Sequence, residues 1–160
     1  MALYFQTFFM TGENKMKRKI DAQAYHEAGH VFIARSMLEK IPITEVYYDG
    51  MEGYTKPAWT AGDINFEKLC FFIAGEIAEY RFAEDFSERN SGADRKDAEN
   101  ILFLLADDYA TQHAIWLHAI RTVNKLIDKP ENAGKIEKIA AALMKKASLS
   151  ESEVDALIEN

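Results

Sequence analysis

Residues 21–39 read DAQAYHEAGHVFIARSMLE, and how this stretch folds decides what the rest of the chain is built around. Ala24, Ala28, Val31 and Phe32 recur at helical spacing, Arg35 to Leu38 continue the register, Asp21 can cap the start and Pro42 stops the run. A helix is therefore expected from 21 to about 39. His26 and His30 are four residues apart, about 40° around the axis at 3.6 residues per turn, so both imidazoles can reach one metal ion. Glu27 lies beside them. Zinc suits two imidazoles, a third protein ligand and an open position for a water whose pKa it lowers to about 7. A carboxylate at Glu27 can take the proton from that water and pass it to a leaving amine. The plain alternative is a helix face whose two histidines are simply hydrogen-bonded to their neighbours.

Outward from this helix the pattern stays mostly helical. Residues 43–56 turn to β-branched and aromatic side chains around Asp49-Gly50, which reads as a β-hairpin with a tight turn. Residues 65–83 carry Leu69, Phe72, Ile73 and Ile77 at helical spacing. A polar loop at 85–93, with Ser91 as a possible cap, then delivers Asp94 to the start of a helix expected to run to about Gln112 through Ala98, Ile101, Leu105 and Asp108-Tyr109. Residues 115–128 and 132–147 read as an antiparallel helical pair split by Pro130. Ser150 to Glu153 form a capping box that opens a last short helix. The fold class expected is mostly α with one small β-hairpin or sheet, in one domain over 21–160 preceded by an arm at 1–20.

Composition narrows the partners. Nineteen Lys and Arg stand against 26 Asp and Glu, a formal charge of −7 that repels a phosphate backbone, so no nucleic acid is expected. The apolar run at 2–10 falls far short of the roughly 20 residues a membrane span needs. The single cysteine, Cys70, has no partner for an internal disulfide and reads as a buried small hydrophobe, which fits a reducing, cytoplasmic compartment. His113 and His118, five apart and about 140° around a helix, cannot share an ion from one face. Trp59, Trp116 and the Phe71-Phe72 pair are assigned to packing.

The stretch YHEAGHVFIA resembles the active-site helix of the FtsH family of zinc peptidases, whose motif reads HEAGHA. Gly53-Tyr54-Thr55 is similar to the GYT that ends the family's substrate-side strand. Ala74-Gly75-Glu76-Ile77-Ala78-Glu79 resembles its GGRAAEE or AGRLAEE segment. Ser91-Gly92-Ala93-Asp94, followed by Ala98 and Ile101, resembles TGASND-x-x-x-A-x-x-I/L shortened by two residues. Residues 143–158, LMKKASLSESEVDALI, resemble the closing LLEKETLSGEEI, so the likeness runs from about 24 to 158.

What the resemblance implies is a helical zinc-peptidase domain with Zn2+ held by His26, His30 and a third ligand. Counting back from Ala98 and Ile101 puts that ligand at Asp94; counting forward from Ser91 leaves Asp97 in competition. Glu79 matches the first Glu of the family's AEE and is expected to hold the second ring nitrogen of a ligand histidine. Glu76 stands where the family has Arg or a variable residue, and reads as a solvated or locally paired acid. Gly53, Tyr54 and Thr55 are expected to offer an edge on which an extended peptide adds by main-chain hydrogen bonds, or else are ordinary hairpin. The function implied is a zinc endopeptidase acting on unfolded or flexible polypeptide. It is expected to stand alone, without Walker motif or ATPase module, and an ATPase in trans is a conceivable partner. The alternatives are a non-catalytic module that binds a protein partner, and a short HExxH peptidase that cuts one repressor.

Overall fold

Asp21 opens the first helix as its side chain predicts, Oδ1 accepting the Gln23 backbone N–H at 2.8 Å. The computed structural model describes residues 21–37, 41–59, 65–84 and 92–159. Helix α1 spans Ala22–Met37, and every residue from Ala24 through Ala34 is buried. Such all-round burial belongs to a central helix rather than a surface one. It is enclosed by α2 (Asn65–Phe82), α5 (Pro130–Lys146) and a hairpin of β1 (Ile43–Tyr48) with β2 (Gly53–Pro57).

The approach of α1 to α2 is set by small residues. A Cβ on Gly29 would lie 2.6 Å from the Ala74 carbonyl oxygen and 2.6 Å from the Ala78 Cβ, closer than atoms can pack. Glycine on one helix and alanine on the other thus let the histidine-bearing face of α1 come down onto α2.

The hairpin turns at Asp49-Gly50, where Gly50 takes φ +97° and Asp49 Oδ1 accepts the backbone N–H groups of Met51 and Glu52, both at 2.9 Å. A third strand, β3 (Ser148–Leu149), pairs antiparallel with β1, giving the order β2-β1-β3. It follows directly from the end of α5, where Ala147 adopts the left-handed conformation at φ 63° and its carbonyl accepts the Tyr48 N–H at 2.7 Å. The expected mostly helical fold with one small sheet is therefore what the chain adopts, and among the described residues β2 is an edge strand.

One boundary differs from the sequence reading. Instead of a single helix from Asp94 to Gln112, α3 (Gly92–Leu105) stops and α4 (Tyr109–Ile127) begins afresh. Asp108 is the reason: its Oδ1 accepts the Thr111 backbone N–H at 2.9 Å as an N-cap, while Gln112 Nε2 donates to the Ala106 carbonyl at 2.8 Å across the break. The two helices expected on either side of Pro130 are thus α4 and α5, which touch, with Pro130 serving as the first residue of α5. Buried stripes at Trp116, Ile120, Val123 and Ile127 on α4, and at Ile136, Ile139 and Leu143 on α5, close the core.

The capping box forms as expected, Ser150 N–H donating to Glu153 Oε2 at 2.8 Å, and opens α6 (Glu151–Glu159). The arm at 1–20, the helix end at 38–39 and the Ser91 cap lie outside the described residues. Among the described residues, no helix is long and apolar enough to cross a membrane.

Candidate metal centre

Two turns of α1 and the first turn of α3 converge on one point. His26 Nε2 lies 2.8 Å and His30 Nε2 3.1 Å from Asp94 Oδ2. One ligand atom from each of the three residues falls within 4.8 Å of the other two, and no other such group occurs among the described residues. Of the two aspartates the sequence left in competition, the structure brings Asp94 to the histidines. Asp97, one turn on, is exposed and outside the cluster.

The far side of each imidazole is pinned. His26 Nδ1 donates to Glu79 Oε2 at 3.2 Å and His30 Nδ1 to the Phe71 carbonyl at 2.8 Å, both buried. With Nδ1–H of each ring committed to an acceptor, Nε2 is the nitrogen left to bind a metal, on the side where Asp94 lies. The donor set of two imidazoles and one carboxylate is one that could hold zinc or a related divalent ion.

Charge points the same way. Burial alone would lower the His26 pKa, but the hydrogen bonds to Asp94 and Glu79 and the charges of Glu27 and Asp94 outweigh it and raise it to about 9. Burial works against the Asp94 carboxylate, yet the His30 and His26 rings hold it well below the usual carboxylate range. Three acids around two imidazoles make a pocket that demands positive charge, which a dication satisfies better than protons.

Gly75 of α2 is a residue whose role the sequence reading missed. A Cβ there would lie 2.5 Å from His30 Nε2 and 2.6 Å from His26 Nε2, so only glycine lets both rings lie against α2. The signal was present, because a glycine inside a helix costs about 1 kcal/mol against alanine and calls for a reason. The Phe71 carbonyl was also missed, and being backbone it leaves no side-chain signature. The Phe71 ring, assigned to packing, additionally walls the site, 4.6 Å from the His30 ring between centroids.

Glu27 is 2% exposed. Its Oε1 accepts from Gln23 Nε2 at 2.7 Å and its Oε2 from Thr55 Oγ1 at 2.9 Å. Gly53 packs so closely that a Cβ would lie 2.7 Å from Glu27 Cγ. Gly53 and Thr55 thus face the carboxylate, one strand-period apart. Tyr54 points to the opposite face, stacked on Tyr47 at 5.1 Å with its hydroxyl donating to Glu45 Oε1 at 2.8 Å, and its side chain does not join the site.

Glu76 is not solvated. It is 3% exposed and receives Arg95 Nε at 3.1 Å and Arg95 Nη2 on its two oxygens, from a neighbouring helix rather than its own. Burial raises its pKa and Arg95 pulls it back in part. His113 and His118 stack on Tyr109 and Phe66 and lie outside the ligand cluster.

Fold and site together define a helical domain carrying a cluster of two buried histidines and a half-buried aspartate with a glutamate at its side. No protein-family model matches the chain, and no curated protein does.

Proposed function

We propose that the chain is a zinc-dependent endopeptidase acting on unfolded or flexible polypeptide. The observation that carries this reading is the convergence of His26, His30 and Asp94 beside a buried Glu27 that is itself hydrogen-bonded to an edge strand. The likeness of HEAGH, GYT and the segments around Glu79 and Asp94 to FtsH-type peptidases supports the same reading.

His26, His30 and Asp94 would hold the ion, with Glu79 and the Phe71 carbonyl fixing the two rings. Bound there, zinc would supply Lewis acidity, lowering the pKa of water to about 7 and polarising a carbonyl. An extended substrate adds to the open edge of β2, its main chain pairing with the backbone of Gly53 to Thr55 while β1 holds the other edge. This lays the substrate backbone past Glu27, because Gly53 and Thr55 already touch that carboxylate. Glu27 accepts a proton from the water that attacks the scissile carbonyl carbon. It returns the proton to the amide nitrogen as the C–N bond breaks, so a carboxyl and an amine leave. Thr55 and Gln23 orient the base, one on each oxygen.

The test is elemental analysis with an activity assay. Purified protein is expected to hold close to one zinc per chain, His26→Ala and His30→Ala to lose it, and hydrolysis of a denatured protein to stop on addition of a chelator. Full occupancy in the double alanine variant would sink the site assignment. A wild type that refuses zinc would favour the module that binds a partner without catalysis.

A further inference from the structure

Helix α2 contributes no ligand, yet it touches everything that does. Glu79 holds His26, the Phe71 carbonyl holds His30, and Gly75 makes room beneath both rings. The third ligand, Asp94, sits on α3, and the residue after it, Arg95, is clasped by Glu76 of α2. Phe71, Gly75, Glu76 and Glu79 thus let α2 reach all three ligand positions from a stretch of a little over two helical turns.

We infer that Glu76 and Arg95 are a positioning pair that sets Asp94 in the metal centre. The remainder of α3 docks through Ala98, Ile101 and Leu102, an apolar stripe that fixes the helix on the core but leaves it free to slide or roll slightly. A guanidinium on a carboxylate removes that freedom, since its fork meets two oxygens in one plane at one distance. The pair sits at the end of α3 where a small displacement matters most, one residue from Asp94.

Its chemistry is costly for mere adhesion. Glu76 is a nearly fully buried acid that feels the like charge of Glu79. Apolar side chains of similar volume would dock the two helices without that repulsion or the desolvation of a charge. A geometric role explains why an ion pair stands there.

This inference rests on the metal-centre reading, and the experiment separates the two. Zinc affinity is measured by competition with a chromophoric chelator on wild type, Arg95→Gln, Arg95→Lys, Glu76→Gln and the double variant E76Q/R95Q, alongside thermal unfolding of each metal-free protein. Charge alone predicts that Arg95→Gln binds a dication more tightly, because a positive charge near the site is removed. The positioning role predicts the opposite, a loss of about 10–100-fold, the range seen when groups that orient metal ligands are removed. E76Q/R95Q leaves the net charge unchanged and should lose no more than the worse single variant, since both remove one contact. Arg95→Lys, which keeps the charge without the fork, should fall between wild type and Arg95→Gln, and it carries the test if Arg95→Gln does not fold. Zinc affinity in Arg95→Gln or Arg95→Lys equal to or above that of a zinc-binding wild type overturns the inference and leaves the metal centre standing, as does a lowered Tm with zinc affinity unchanged. A wild type that takes up no zinc overturns both.

Discussion

Two glycines in helix interiors show how far one hydrogen atom's worth of space decides a residue's role. Gly75 and Gly134 cost their helices the same in propensity, yet a Cβ at 75 collides with two imidazole nitrogens while one at 134 meets nothing within 4 Å. Gly134→Ala is expected to stabilise the fold by about 0.5–1 kcal/mol, read as a higher urea midpoint. Gly75→Ala improves the same intrinsic propensity but should lower zinc affinity at least about tenfold, because His26 and His30 must both retreat from the positions that meet Asp94. A chelator titration beside the unfolding curve reads both effects; undiminished zinc binding in Gly75→Ala would mean the rings do not need that space. Cys70 makes the complementary point about ionisation. Burial, helped by the nearby charge of Glu67, pushes its thiol up to about 12 from the ordinary 9.0. Native protein at pH 8 should therefore resist iodoacetamide that labels it in denaturant. The sign for stability follows from the raised folded pKa: the contribution is fully present below pH 9.0 and is lost as pH climbs toward 12, so the urea midpoint should fall across that window.

At the scale of elements, the joint between α5 and β3 holds the one non-glycine residue with positive φ among those described, Ala147 at 63°. Left-handed geometry strains a Cβ but suits glycine, so Ala147→Gly should stabilise by roughly 0.5–1 kcal/mol net of the entropy glycine adds to the unfolded chain. A matched pair of thermal melts checks it. What the sequence made legible at this scale was whatever rests on local signals. Asp21, Asp49-Gly50, Pro130 and the Ser150 box each mark a boundary by short-range chemistry, and each stands where it was read. The break between α3 and α4 was misplaced because Ala106 to Gln112 keeps helical spacing, and only the cap made by Asp108 shows that the backbone hydrogen bonds change hands there. Strand β3 escaped notice because two residues carry no periodicity. The site divided along the same line: the i, i+4 pair was legible from spacing and Asp94, with Asp97 in competition, from the resemblance, whereas the Glu76–Arg95 contact joins residues 19 apart on two helices and has no local signature.

For the whole molecule, the consequence that matters is what kind of polypeptide can reach Glu27. The carboxylate lies buried between α1 and the edge strand, touched by Gly53 and Thr55, so on the proposed function a substrate would reach it by presenting extended backbone along β2. A folded protein keeps its backbone hydrogen bonds inside and offers such a segment only in its open fraction, about 10⁻⁶ for a domain stable by roughly 8 kcal/mol. The wild type should therefore cut a denatured protein readily and spare a tightly folded one. Destabilising the same substrate by about 1.4 kcal/mol should speed its cleavage about tenfold, so long as opening and closing outrun the cut. Glu27→Gln separates binding from chemistry in the same gel series. The amide keeps the shape and still accepts a hydrogen bond, but it takes no proton from water. Zinc content should be unchanged and hydrolysis of the denatured substrate should drop by about 100-fold or more. Equal cleavage by Glu27→Gln would remove the base from the mechanism, and equal cleavage of folded and unfolded substrates would remove the strand-edge route. A wild type that holds zinc and cuts neither substrate would leave the cluster intact as a metal site and move the function to binding a partner.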